Sequence, residues 1–137
     1  MNDRPEAFRV LVVDDDLALV ETLTAILEAR YHVASATSGA AGLKLLETHY
    51  FHVIISDWQM PQMDGIDFLH AVQEKRLPTA CLLMTGQVDT LNLEVPQDQR
   101  RLMGILAKPF SPAQLFARVE QLARLAKMKQ SVHKLRV

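Results

Sequence analysis

Residues 52–65 read HVIISDWQMPQMDG, an apolar run that ends at Asp57 and passes into a segment rich in turn-forming residues. Five residues of mostly apolar, β-branched character are typical of a buried strand, and Pro61 and Gly65 are typical of the loop that follows. Open α/β sheets bind their ligands at the carboxyl ends of the strands. The segment therefore predicts a buried strand that delivers the Asp57 carboxylate to a functional loop.

A second apolar run, residues 8–13, also ends in acids, which are Asp14, Asp15 and Asp16. Parallel strands present their carboxyl ends at one edge of a sheet, so these acids and Asp57 should lie close together. Carboxylates that share a small space repel one another unless a positive charge offsets them. The two runs together predict a cation site.

Strand-like and helix-like patterns alternate along the whole chain, which predicts a five-stranded parallel sheet with helices on both faces. Strands are expected at residues 8–13, 33–36, 52–56, 80–84 and 104–107, and helices at 17–30, 38–49, 64–75 and from 112 onward. Ser111 and Gln114 form a capping box at the start of the last helix. Pro96 and its β-branched neighbours predict that the helix within residues 86–104 is irregular or short.

The composition restricts the class of protein. The chain has 137 residues, enough for one domain, and a net charge of −1. Its apolar runs are too short to span a membrane, and no secretory leader is visible. The single cysteine, Cys81, lies in an apolar run and is expected to be an inert core thiol. These features favour a cytoplasmic protein without a membrane segment.

The C-terminal part of the chain is basic, with six Lys or Arg and one Glu after Ser111. A solvated helix face explains this, and so does contact with an acidic partner or nucleic acid. Leu125, Met128, Val132 and Leu135 recur at spacings of three, four and three, about two heptads. That seam could form a homodimer, or it could link the domain to an effector domain.

Two further polar residues follow predicted strands, Thr85 after the third strong strand and Lys108 after the last. Mg²⁺ prefers oxygen ligands, a lysine supplies a positive point charge, and a threonine supplies a hydroxyl donor. Together with the acids, these groups can bind a phosphoryl group. A carboxylate can also act as a nucleophile and form an acyl phosphate.

Four motifs in order resemble the signatures of response regulator receiver domains, the phospho-acceptor modules of two-component signalling, including the chemotaxis receivers. They are VVDDD at 12–16, SDWQMPQMDG at 56–65, MTG at 84–86 and AKPF at 107–110. The resemblance covers residues 8–125, between an N-terminal tail at 1–7 and a helical extension at 126–137. It implies a flavodoxin-like fold.

The resemblance implies a role for each site residue. Asp57 would accept the phosphoryl group. Asp15, Asp57 and the backbone carbonyl of Gln59 would bind Mg²⁺ directly, and Asp14 would hold the ion through water. Asp16 would serve the start of the first helix.

The resemblance further implies that Thr85 and Lys108 contact the phosphoryl oxygens and that the Lys108–Pro109 peptide bond is cis. Receivers usually switch through a threonine, here Thr85, and an aromatic residue three positions before the lysine. This chain has Ile105 at the second position, so it departs from the aromatic version of the switch. The donor would be a sensor histidine kinase or a histidine phosphotransfer protein. The output would be binding to an unknown effector, with neither metabolite turnover nor direct contact of this domain with nucleic acid or membrane.

Two alternatives stay open. A pseudo-receiver, an interaction module that signals without phosphorylation, is motivated by Ile105 and by the unusual segment 86–104. A haloacid-dehalogenase-like phosphatase would use Asp14-x-Asp16, but Ala18 stands where that motif prefers Thr or Val.

Three residues near Asp57 have less specific readings. Trp58 is either a partner contact or a packing residue. His49 and His52 lie close together in sequence, but the lack of a nearby third ligand makes a structural role the better interpretation than a metal site.

Overall fold

A computed structural model describes residues 7–58, 65–86 and 102–135, and strands and helices alternate from residue 9 to residue 85 as the sequence predicts. The strands are β1 (Arg9–Val13), β2 (His32–Ala36), β3 (Val53–Asp57), β4 (Ala80–Thr85) and β5 (Met103–Ala107). The helices are α1 (Leu17–Leu27), α2 (Gly39–Leu46), α3 (Gly65–Glu74) and α4 (Pro112–Leu135).

The five strands form one sheet in the order β2-β1-β3-β4-β5, and every neighbouring pair is parallel. This is the flavodoxin-like order, in which the chain reverses its direction of progress between β1 and β3. The predicted fold class is confirmed. The crevice at that reversal lies between β1, which precedes Asp14, and β3, which ends at Asp57.

Helices cover both faces of the sheet, and alternate residues of each central strand enter two separate cores. Helices α1 and α4 pack on one face, where Val10, Val12, Leu23, Leu115 and Val119 are buried. Helices α2 and α3 pack on the other, where Leu11, Val13, Leu46, Phe68 and Leu69 are buried. Strands β1, β3 and β4 are therefore apolar on both sides, which explains why their sequences read as continuous apolar runs.

Side chains that accept hydrogen bonds from backbone amides fix the starts of three helices, α1, α2 and α4. Asp16 is the N-cap of α1, and its carboxylate accepts a bond of 3.2 Å from the amide of Leu19. At α4 the capping box is confirmed, since the amide of Ser111 donates to Gln114 Oε1 at 2.8 Å and the amide of Gln114 donates to Ser111 Oγ at 3.1 Å. Such caps satisfy amides that have no partner within the helix.

Helices α1 and α2 end earlier than predicted. Helix α1 stops at Leu27, because the amides of Arg30 and Tyr31 both bond to the carbonyl of Leu27 and close a turn there. Helix α2 stops at Leu46, because the amides of Thr48 and His49 both bond to the carbonyl of Leu45. Apolar spacing locates the packed face of a helix better than its last residue.

Several predictions fall on residues 1–6, 59–64 and 87–101, which lie outside the described part of the chain. They include almost all of the N-terminal tail, the Gln59 carbonyl and the irregular or short helix within 86–104. The boundaries of the tail, the domain and the extension stay predictions. Among the described residues, no helix is both long enough and apolar enough to cross a membrane.

Candidate functional site

The polar residues that follow the strands meet at the carboxyl edge of the sheet. Backbone hydrogen bonds align the strand ends: the amide of Trp58 donates to the carbonyl of Met84 at 3.0 Å, and that of Lys108 donates to the carbonyl of Thr85 at 2.8 Å. Because β3, β4 and β5 are neighbours, Asp57, Thr85 and Lys108 occupy successive strand ends.

Three carboxylates gather at this edge. One oxygen from each of Asp14, Asp15 and Asp57 lies within 4.8 Å of the others. Their exposure differs, because Asp14 is only 1% exposed, the side chain of Asp57 is 17% exposed, and Asp15 is exposed. The cluster therefore combines a buried acid, a half-buried acid and an acid that faces solvent.

Asp14 has an unusual electrostatic environment. Burial raises its pKa from 3.8 to about 6, the nearby Asp57 and Asp15 add to the rise, and the hydrogen bond from the amide of Asp16 opposes it. That amide donates to Asp14 Oδ1 at 2.9 Å, whereas Oδ2 is buried without a hydrogen-bond partner among the described residues. A buried carboxylate oxygen in this position calls for a positively charged or proton-bearing neighbour.

Lys108 supplies one positive charge. Its Nζ atom lies 3.0 Å from Asp57 Oδ1 in a half-buried ion pair. The Lys108–Pro109 peptide bond that follows is cis, as the resemblance implied. The lysine thus pairs with Asp57, the half-buried acid of the three.

Thr85 ends β4 in a buried position, with 3% of its surface exposed. It pairs in register with Ala107, the residue before Lys108. The next residue, Gly86, is exposed, and a Cβ atom added there would meet no atom of the described residues within 4 Å.

The donor set fits a hard divalent cation such as Mg²⁺. Three carboxylates offer only oxygen ligands, and the partnerless Oδ2 of Asp14 belongs to the same cluster. Lys108 offsets one of the three negative charges, so a cation would relieve the remaining repulsion. Asp16 does not belong to this cluster, because its carboxylate caps α1.

The family model described as "Response regulator receiver domain" matches residues 10–120. The chain belongs to the response regulator receiver family. Members of this family are signalling switches of two-component systems, and they are typically phosphorylated on aspartate in the presence of Mg²⁺. The matched range contains β2 to β5, all of β1 except Arg9, and all the site residues.

Individual relatives agree with this assignment. The chain is 34% identical over 121 residues to "Probable chemotaxis protein CheY" of Rhizobium etli, covering 84% of this chain and 92% of that protein. It is 32% identical over 121 residues to "Alkaline phosphatase synthesis transcriptional regulatory protein PhoP" of Bacillus subtilis, covering 85% of this chain and 48% of that protein. The receiver thus spans nearly all of the first relative but about half of the second.

A solved structure extends the comparison. The chemotaxis response regulator CheY4 of Vibrio cholerae superposes with a TM-score of 0.73 at 29% identity, covering 85% of this chain and 98% of that one.

Sequence reasoning missed one contact behind the site. Ile105 is half-buried, and its carbonyl accepts a hydrogen bond of 3.3 Å from Nη2 of Arg118 on α4. Gly104 permits this, since a Cβ atom there would lie 2.8 Å from Arg118 Nη2. A signal was present: Arg118 shares a helix face with buried Leu115 and Leu122, where a charge needs a partner.

The structure also decides between the readings of Trp58 and the two histidines. Trp58 is 5% exposed and packs in the core under α2 and α3, so it is a packing residue. His52 Nδ1 accepts a hydrogen bond of 3.0 Å from the amide of Arg9, and His49 Nδ1 lies 2.8 Å from Thr48 Oγ1. Both histidines have structural contacts, and neither belongs to a metal cluster among the described residues.

Cys81 has the environment predicted for an inert thiol. It is 3% exposed near the start of β4, and burial raises the pKa of the thiol to about 12. The thiolate, which is the reactive form, is therefore scarce at neutral pH.

Proposed function

We propose that this receiver accepts a phosphoryl group on Asp57 from a phosphohistidine of a sensor histidine kinase or a histidine phosphotransfer protein. The observation that carries the proposal is the pairing of Lys108 with Asp57 at 3.0 Å inside a cluster of three carboxylates. This arrangement brings a nucleophilic oxygen, a fixed positive charge and a cation site to one strand end. The reaction would take place in the cytoplasm.

The chemistry follows from the residues. An oxygen of the Asp57 carboxylate would attack phosphorus, the phosphorus–nitrogen bond of the donor would break, and the imidazole would keep the electron pair and take up a proton. The product is an acyl phosphate on Asp57. Water would later attack the same phosphorus, which releases inorganic phosphate and restores the carboxylate.

Mg²⁺ would offset the negative charge on the phosphoryl oxygens. Asp15 and Asp57 would bind it directly, together with the backbone carbonyl of Gln59, and Asp14 would hold it through water. The partnerless oxygen of Asp14 and its raised pKa support this assignment, because both call for a positive charge nearby.

Lys108 and Thr85 would bind the phosphoryl oxygens. Lys108 already forms an ion pair with Asp57, and Thr85 lies at the end of the adjacent strand. Phosphorylation would shift an existing conformational equilibrium of the domain and so change which surface is available to a partner. Thr85 and Ile105 are the proposed switch positions, and the output is binding to an effector, not turnover of a metabolite.

The direct test is the intact mass of the protein after incubation with acetyl phosphate and Mg²⁺. We expect one added phosphoryl group, lost when Mg²⁺ is removed and absent in Asp57→Asn. The matched control is Asp16→Asn, which changes a neighbouring carboxylate but keeps a good N-cap. An adduct of equal yield in Asp57→Asn would disprove the assignment of the acceptor.

The pseudo-receiver is the second candidate function, and Ile105 at the usual place of an aromatic residue favours it. It predicts no adduct with acetyl phosphate and none with a phosphorylated histidine phosphotransfer domain. An adduct from either donor rules it out. The phosphatase alternative has lost its support, because Asp16 caps α1 and the chain belongs to the receiver family.

A further inference from the structure

Helix α4 continues beyond the part of it that packs on the sheet. Among the α4 side chains that the structure describes, which end at Val132, the last buried one is Ala126, but the helix extends to Leu135. The side chains described from Lys127 to Val132 are exposed or half-buried. Since helices of this length gain most of their stability from packing, the projecting segment has the form of an element that packs against another molecule.

The projecting segment carries an apolar stripe. Four large apolar side chains are exposed among the described residues, and three of them lie on α4: Leu125 at 42%, Met128 at 66% and Val132 at 46%. Spacings of three and four place these three on one side of the helix. We call them the outer seam. Single exposed apolar residues are ordinary, whereas a continuous stripe marks an interaction site.

Basic residues border the outer seam on both sides. Lys129 follows Leu125 by four positions and Arg124 precedes Met128 by four, so each lies about 40° around the helix from the seam. Both side chains are exposed, and Arg124 is still 73% exposed although it pairs with Glu120. Glu120 is the only acid in α4, and it lies beyond Arg124 on the same flank, about 80° around the helix from Met128.

We propose that the outer seam binds an amphipathic helix of a partner protein that carries Asp or Glu on both sides of its own apolar stripe. Helix-in-groove and helix-on-helix recognition use this i, i+3, i+7 spacing of anchors. The bordering charges then select the partner, as the flanking positions of coiled coils do.

Charge argues against a second copy of this chain, and the apolar stripe argues against nucleic acid. A second copy of this chain would bring Arg124 and Lys129 close to the same basic residues of its twin, which repels in either orientation. Nucleic acid would be attracted by the basic side chains. It would leave Leu125, Met128 and Val132 without an apolar partner.

The test uses the full chain and a fluorescein-labelled helical peptide of about 14 residues, with Leu at alternating spacings of three and four and Glu at the bordering positions. The control peptide has Lys in place of Glu. In fluorescence anisotropy we expect a Kd on the order of 10 µM for the Glu peptide and at least about tenfold weaker binding of the Lys peptide.

Variants of the receiver sharpen the test. Met128→Gln keeps a good helix former and should weaken binding of the Glu peptide at least about fivefold. Lys129→Glu should weaken the Glu peptide and strengthen the Lys peptide. Leu17→Gln removes the exposed apolar residue of α1, which is 59% exposed, and should change neither affinity. Asp57→Asn should also bind normally, so this test does not depend on the phosphoryl chemistry.

Several outcomes would overturn the proposal. Equal affinity for the two peptides would show that charge does not select the partner. No binding of the Glu peptide at about 1 mM would show that the outer seam does not bind such a helix. A dimer in light scattering that Met128→Gln dissociates, without peptide binding, would make a second copy the occupant. Tighter binding to a DNA duplex than to the Glu peptide, unchanged by Met128→Gln, would indicate a nucleic-acid surface.

Discussion

Replacing Asp14 with asparagine should stabilise the receiver at neutral pH in the absence of divalent cations. The pKa of Asp14 rises from 3.8 to about 6 on folding, chiefly because the group is buried. The folded state therefore binds the proton more tightly than the unfolded state, and ionisation of Asp14 costs stability as the pH rises through this range. Above about pH 7 the full cost is present.

The size of the effect follows from the same pKa values. One pKa unit corresponds to about 1.4 kcal/mol, so the rise from 3.8 to about 6 sets an upper limit of about 3 kcal/mol. Asparagine keeps the acceptor for the amide of Asp16, but it buries an amide group of its own. We expect the free energy of unfolding of Asp14→Asn to exceed that of the wild type by about 1–3 kcal/mol at pH 8.

Urea denaturation at pH 8 and pH 4, with EDTA and then with Mg²⁺, measures this difference. At pH 4 it should nearly vanish, because Asp14 is protonated in the folded wild type. Saturating Mg²⁺ should stabilise the wild type more than the variant, since the ion binds the folded state. Asp16→Asn, which keeps the cap of α1, should change the stability by less than about 0.5 kcal/mol. If Asp14→Asn were less stable than the wild type at pH 8 without Mg²⁺, the electrostatic reasoning would be refuted.

Three further predictions concern contacts of the fold away from the carboxylate cluster. Tyr31→Phe removes a hydrogen bond of 2.9 Å from the tyrosine hydroxyl to Glu120. The free energy of unfolding, measured by urea denaturation, should fall by about 1 kcal/mol. No change would mean that the contact is not formed in solution. Gly104→Ala should cost about 1–3 kcal/mol, because the added methyl group would lie 3.0 Å from Leu122 Cδ1 in the core and 2.8 Å from Arg118 Nη2, which donates to the Ile105 carbonyl. Gly86→Ala, where the methyl group meets no atom of the described residues within 4 Å, should stay within about 0.5 kcal/mol. Equal effects of the two substitutions would contradict the packing. Burial and nearby positive charges lower the pKa of His52 below 6.5. The free energy of unfolding of the wild type should therefore fall as the pH drops below that value, and that of His52→Gln should fall less. Parallel curves of stability against pH for the two proteins would count against this.

Much of the fold could be predicted because the informative residues are local. The two-sided burial of β1, β3 and β4 appears directly as continuous apolar runs, and Ser111 with Gln114 marks the start of α4 by itself. The site could be predicted for a similar reason. Parallel strands place their ends at one edge whatever the distance along the chain, so Asp14, Asp57 and Lys108 had to approach one another.

Other features depend on contacts that no local pattern encodes. Tyr31 and Glu120 are 89 positions apart, and their hydrogen bond exists only because α1 and α4 pack on the same face. The sequence also could not rank Asp14 and Asp15, two adjacent acids of which one is 1% exposed and the other exposed. The direction in which the chain leaves β1 decides which of them is buried.

The chain has a single tryptophan, and it follows Asp57 directly. Its indole is held in the core with 5% exposure, and its amide is tied to the carbonyl of Met84. All tryptophan emission of the protein therefore comes from one rigid position, a single residue from the proposed phosphoryl acceptor. The receiver carries its own optical probe, so ion binding and phosphoryl transfer at Asp57 could be timed in a stopped-flow fluorimeter without any label.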